Sequence, residues 1–191
     1  MIEAVVFDMD GLLVDSEPLW QRARILAFGA ERLRWTDADQ QAVMGSSTLF
    51  WARMIQAKLG DHTPTDEIIE RVLDELVALY RQEVPLMPGA NEILSLLHGR
   101  YPLALASGSP YRLIQAVLEG AGWDGVFDPV LSTDDMPHGK PAPDVYLATL
   151  ERLRARVEEA DWVVPGHGGP IDGARALAIL REDVAYLETW K

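Results

Sequence analysis

The sharpest change of pattern along the chain falls within its first fourteen residues, where the apolar run Ala4, Val5, Val6, Phe7 stops at Asp8, Met9, Asp10 and Gly11. A short run rich in β-branched and aromatic residues, ended by acids and glycine, predicts a buried strand with a loop at its carboxyl end. From about Asp15 to Leu86 the apolar residues instead recur at helical steps, with no strand signal. Helices are expected over Ser16 to about Trp35, Thr36 to Gly45, Thr48 to Leu59 and Thr65 to Tyr80, the last with Ile68, Ile69, Val72, Leu76 and Leu79 on one side. Pro85 to Gly89 punctuates the chain, and Gly89 to Gly99 reads as a returning helix. Strands and helices then alternate: strand Leu103 to Ala106, helix Tyr111 to Gly120, strand about Phe127 to Leu131, helix Pro143 to about Ala160, strand Trp162 to Val164, helix Asp172 to Trp190. Such alternation implies right-handed crossovers and a parallel sheet.

The expected architecture is therefore α/β, a doubly wound parallel sheet built from residues 1–14 and 87–191, with residues 15–86 inserted as a helical cap. A strand order of 4-1-2-3 would place the first strand centrally, its carboxyl end at the point where open α/β sheets bind ligands.

Three stretches then bear on chemistry. In extended backbone, residues two apart face the same side, so Asp8 and Asp10 can share one volume while Met9 turns away. Two such carboxylates suit a metal, or a nucleophile with a general acid/base, or simply a solvated strand end before a turn. Ser107, Gly108, Ser109 and Pro110 follow the second expected strand. A hydroxyl and glycine-freed amides before a helix can cradle phosphate, and the same letters also serve as turn and capping chemistry. Gly139, Lys140, Pro141, Ala142, Pro143 and Asp144 follow the third. Paired prolines stiffen that loop, while a lone lysine is ordinarily a solvated charge.

The run Phe7, Asp8, Met9, Asp10, Gly11, Leu12, Leu13, Val14, Asp15, Ser16, Glu17 resembles the first motif of the haloacid dehalogenase-like hydrolases, in their sugar-phosphate phosphatase and β-phosphoglucomutase branch. Ser107 and Lys140 fall where the second and third motifs of that family belong. This resemblance implies a Rossmann-like core and an Mg²⁺-dependent phosphomonoester hydrolase acting on a small phosphorylated metabolite such as a sugar or sugar-alcohol phosphate. It further implies Asp8 as nucleophile, Asp10 as general acid/base, and Mg²⁺ on the Asp8 carboxylate and the Asp10 backbone carbonyl. Ser107 would bind phosphate with backbone donors from Gly108 and Ser109, and Lys140 would neutralise the phosphoryl oxygens. Trp20, Met44, Gly45, Ser46, Ser47 and Arg53 of the cap are candidates for contacting the leaving group, though most also fit packing or surface positions.

The resemblance breaks after the strand Trp162 to Val164. An acidic metal ligand is expected there, and Pro165, Gly166, His167, Gly168, Gly169, Pro170 stands instead. Imidazole is a poor Mg²⁺ ligand, which leaves water, His167 or Asp172 to complete the shell, or an impaired site. From about Val157 the tail is similar to the last strand and helix of metallo-β-lactamase-fold hydrolases, so a join of two families is one expectation. The other is that the tail completes the sheet with His167 in a turn. A phosphoglucomutase running on the same residues, or a catalytically impaired domain, are the alternatives to the phosphatase.

Composition narrows the partners. The 191 residues, 48% apolar and 25% charged, are those of an ordinary globular protein, and the formal net charge of −13 disfavours nucleic acid and acidic membranes. With no cysteine, no apolar run of membrane-spanning length, and acids at Glu3, Asp8 and Asp10 where a signal peptide would be basic and then apolar, a cytoplasmic protein is expected.

Overall fold

The computed structural model describes residues 4–44, 46–154, 162–164 and 171–172. The strands β1 (Val5–Phe7), β2 (Leu103–Ser107), β3 (Val130–Ser132), β4 (Trp162–Val164) and β5 (Ile171–Asp172) form one sheet in the order β3-β2-β1-β4-β5. The first four are parallel, with Val6 opposite Ala104 on one side and Val163 on the other. The expected order is thus present, with β1 central. β5 is an addition, pairing antiparallel to β4 and taking in Asp172, the residue at which a helix is expected to start. The remainder of that expected helix lies outside the described residues.

The chain divides into two compact units, Met1–Asp15 with Pro85–Lys191, and Ser16–Val84. In the first, every residue of β1 and β2 is buried, as in parallel sheets covered on both faces. Ala4, Val6, Ala104 and Ala106 meet Leu131, and Val145 and Leu153 of α8 (Asp144–Arg154), on one face. On the alternate positions, Phe7 meets Phe127 edge-on at 6.0 Å, and Trp123 extends that aromatic row. This unit also holds the helices that begin at Ala90 and Tyr111, over Ala90–Leu97 and Tyr111–Ala121.

The second unit holds α1 (Glu17–Phe28), α2 (Ala30–Leu33), α3 (Asp37–Val43), α4 (Thr48–Leu59) and α5 (Thr65–Gln82). α5 packs on both α1 and α4, burying Ile68, Val72, Leu76 and Leu79. The single helix expected from Ser16 to Trp35 is two, because Gly29 adopts φ 80°, ψ 139° between them, a conformation open to glycine. Thr36 and Asp39 exchange hydrogen bonds as a capping box that starts α3. The expected strand at Phe127 is also shorter. Pro129 brings no N–H to the ladder, although its carbonyl still accepts from Leu105 N at 2.9 Å.

Candidate active site

The site grows out of the carboxyl end of β1. Alternation carried one residue beyond Phe7 sends Asp8 to the side of Val6 and Ala4, the side covered by α8. The chain then doubles back: the amides of Leu13 and Val14 bond the Met9 carbonyl at 3.0 and 3.1 Å, and Gly11 N bonds Val14 O at 2.8 Å. Gly11 makes that turn at φ 75°, where a side chain would be strained.

Asp8 is buried, and its Oδ1 accepts from Met9 N at 2.8 Å and from Lys140 Nζ at 2.7 Å. Lys140 lies 132 residues from Asp8 in sequence and enters from the loop before α8, where Ala142 N bonds Gly139 O at 3.0 Å. Its ammonium also donates to Ala106 O at 3.0 Å and sits 5.0 Å from the ring centroid of Tyr146. Burial works to lower the Lys140 pKa, but the Asp8 carboxylate and then Tyr146 more than offset it, so the ammonium is held above its ordinary value. The site therefore carries a fixed positive charge against a buried carboxylate.

The second carboxylate is held differently. Asp10 Oδ2 accepts from Ser109 Oγ at 2.8 Å and from Ser107 Oγ at 3.3 Å. Ser107 ends β2 and is fully buried. Its Oγ accepts from the Ser109 amide at 3.0 Å, so that amide is turned inward, whereas a phosphate cradle would have it facing outward. Gly108 between them is exposed, and its carbonyl accepts from Thr133 Oγ1 at 3.2 Å. The loop is tied to β3 by Ser132, whose Oγ donates to Ser109 O at 2.8 Å.

Asp8, Asp10, Ser107, Ser109 and Lys140 are thus brought together by contacts at the ends of β1 and β2. Asp134 and Asp135 form a single 3₁₀ turn after β3, where Asp135 accepts from Tyr111 Oη at 2.9 Å, and His138 meets Asp144 at 3.3 Å on the surface. In the second unit, the tilted rings of Trp20 and Trp51 meet at 5.9 Å, Ser47 caps α4 through Phe50 N at 3.3 Å, and Met44 and Arg53 are exposed. Gly45 and His167 lie outside the described residues, as does the side chain of Asp172. Tyr146 and Ser132 went unassigned from sequence. A tyrosine on the first turn of the helix that follows the lysine loop was the available signal for the first, and nothing marked the second.

No group of three or more His, Cys, Asp or Glu among the described residues has metal-holding geometry. The hard oxygens available here are the Asp8 carboxylate and, two residues on in sequence, the Asp10 main-chain carbonyl. A cation that takes one or two carboxylates and fills its octahedron with water and substrate phosphate oxygens is Mg²⁺, so this donor set fits it.

A buried carboxylate under a lysine, with a second carboxylate held by hydroxyls, is an arrangement suited to phosphoryl-group chemistry. The model of the haloacid dehalogenase-like hydrolases matches residues 2–163, and the chain belongs to that family. It is 33% identical over 157 residues to hexitol phosphatase B of Escherichia coli (strain K12), covering 80% of this chain and 70% of that protein. Fructose-1-phosphate phosphatase YqaB of the same organism is 31% identical over 193 residues, covering 96% of each. Among solved structures, CbbY from Rhodobacter sphaeroides in complex with phosphate superposes with a TM-score of 0.67 at 25% identity, over 80% of this chain and 73% of that one. The likeness of the tail to metallo-β-lactamase-fold hydrolases finds no support here, since a phosphatase relative aligns along almost the whole chain.

Proposed function

We propose that this chain hydrolyses a small phosphorylated metabolite, a sugar or sugar-alcohol phosphate, in the cytoplasm through a phosphoryl-enzyme on Asp8. The observation that carries this reading is the 2.7 Å contact of Lys140 Nζ with Asp8 Oδ1, in a site where Asp10 stands two residues from the nucleophile. The unit Met1–Asp15 with Pro85–Lys191 then serves as the catalytic core and Ser16–Val84 as its cap. Names of the relatives, which include hexitol and fructose 1-phosphate phosphatases, support the substrate class.

An Asp8 oxygen attacks phosphorus, the ester P–O bond breaks, and Asp10 gives its proton to the departing oxygen. Asp10 then takes a proton from water, whose oxygen attacks phosphorus and displaces Asp8, releasing inorganic phosphate. Lys140 and Ser107 hold the phosphoryl oxygens, with the Gly108 amide as a further donor. Mg²⁺ on the Asp8 carboxylate and Asp10 carbonyl would neutralise negative charge as it gathers on those oxygens.

A second reading, an impaired domain, is favoured by the absence of any acid between Pro165 and Pro170. Hydrolysis of p-nitrophenyl phosphate with and without Mg²⁺ decides between them. Turnover that needs Mg²⁺ and falls at least about 10³-fold in Asp8→Asn supports the phosphatase. No turnover from the folded protein supports impairment, and product analysis with a glucose phosphate separates hydrolase from mutase.

A further inference from the structure

Ser109 belongs to a loop whose resemblance suggests phosphate binding, yet each of its polar groups is engaged within the protein. Its amide donates to Ser107 Oγ at 3.0 Å, its carbonyl accepts from the buried Ser132 hydroxyl at 2.8 Å, and its own hydroxyl donates to Asp10 Oδ2 at 2.8 Å. Ser109 is itself only 5% exposed, and Ser132 is fully buried. The Ser109 main chain is therefore clamped from β3, and its hydroxyl is aimed at a carboxylate ninety-nine residues away in sequence. Ser107 reaches the same oxygen at the longer distance of 3.3 Å.

We infer that Ser109 is a positioning residue that fixes the Asp10 carboxylate through its hydroxyl, so that Ser107, while its oxygen keeps the Ser109 amide, can redirect its hydroxyl proton from Asp10 to the substrate phosphoryl group. The two serines, adjacent to one glycine, thus divide the labour: one holds the acid/base and the other meets the substrate. A hydroxyl that must let go of Asp10 to bind phosphate could not hold that carboxylate in register while the proton moves. Ser109 can, because Ser132 anchors its carbonyl and Ser107 its amide. The clamp acts on the steps in which Asp10 moves a proton, and of these the transfer to the leaving oxygen is the one that depends on the leaving group.

This inference rests on the assignment of Asp10 as general acid, so the test treats the two separately. The readout is the ratio of kcat/KM for an alkyl phosphate, glycerol 2-phosphate, to that for p-nitrophenyl phosphate. An alkoxide needs the proton in order to leave and a nitrophenolate hardly does. In Ser109→Ala the ratio should drop about tenfold, against about 10²-fold in Asp10→Asn. Crystals of Ser109→Ala should show the Asp10 carboxylate displaced from its wild-type position, with the melting temperature reporting that the fold is kept. Ser132→Ala, which loosens the clamp from behind, should lower the ratio in the same direction by less. A drop in Asp10→Asn with no drop in Ser109→Ala, or equal losses on both substrates in Ser109→Ala with Asp10 unmoved, overturns the positioning role alone. An unchanged ratio in Asp10→Asn, or a wild-type protein inert to both substrates, overturns the functional reading beneath it.

Discussion

Two cations, Lys140 half-buried and Arg24 buried, show one physical problem, a charge drawn out of water, solved in two ways in this chain. Lys140, in the first unit, sits on the Asp8 carboxylate at 2.7 Å, and its ammonium is held above its ordinary pKa because that carboxylate outweighs burial. Arg24, in the second, is 3% exposed and has aromatic faces where Lys140 has a carboxylate: Trp20, Trp35 and Trp51 at 5.3, 5.6 and 5.6 Å from its guanidinium carbon. The Gln40 side-chain amide accepts from it through Oε1 at 3.0 Å, and Gln40 in turn donates to Glu17 at 3.0 Å. Burial pulls Arg24 down to about 10, only partly countered by Glu17, which still leaves it charged at neutral pH. Aromatic quadrupoles stabilise a cation without offering it a counter-charge to work against. On the proposed mechanism a cation neutralised by the Asp8 carboxylate is poised to take up phosphoryl charge, whereas one boxed by indoles organises a helical core.

The sharpest way to break this contrast is to remove Lys140. Lys140→Ala should lower kcat/KM on p-nitrophenyl phosphate by about 10²–10³-fold, the usual loss of a group that stabilises developing charge. Lys140→Arg should not restore it, because a planar guanidinium does not fit where a point charge reaches both Asp8 Oδ1 and Ala106 O. Were kcat/KM to survive in Lys140→Ala with only stability lost, the two cations would be of one kind.

Next in size is Arg24→Met, which keeps volume but removes the charge. Its loss of three ring contacts and one hydrogen bond should cost about 1–3 kcal/mol in urea unfolding, with kcat on p-nitrophenyl phosphate changed less than about threefold. A kinetic loss as large as that of Lys140→Ala would place Arg24 in the chemistry instead.

The smallest effect is one of sign, read at alkaline pH. Because burial lowers Arg24 to about 10, well below the ordinary guanidinium range, the unfolded chain binds more protons as pH passes that value, and this group's contribution to stability rises as pH climbs through it. Lys140 does the opposite. Its folded pKa lies above the ordinary 10.5, so its contribution is full below 10.5 and is lost as pH rises through the folded value. Urea unfolding from about pH 9 to 11 should therefore show the wild-type protein gaining on Arg24→Met and losing on Lys140→Met, each by on the order of 1 kcal/mol or less. Slopes of the same sign would contradict the environments described.

Reading the chain alone reached furthest where a local pattern is tied to local geometry. Asp8 and Asp10 stand out because a strand presents alternate residues to one side, and α4 and α7 (Tyr111–Ala121) begin where their apolar steps begin. The break at Gly29 was harder to see, since the apolar steps run on across it and only the φ of 80° ends the helix. β5 was hidden by two residues whose strand character depends on their pairing with β4.

By itself the sequence determined the family motifs, the α/β alternation, the central place of the first strand and the identity of the two carboxylates, because each depends on residues near one another along the chain. Tertiary structure alone decided how those groups are held. That Lys140 closes on Asp8, that Tyr146 backs the ammonium, and that Ser109, clamped by Ser132, grips Asp10 follow from the parallel pairing that aligns the carboxyl ends of β1, β2 and β3. Hydrogen bonds form between atoms a few ångströms apart, and no periodicity encodes which residues a hundred positions away will supply them.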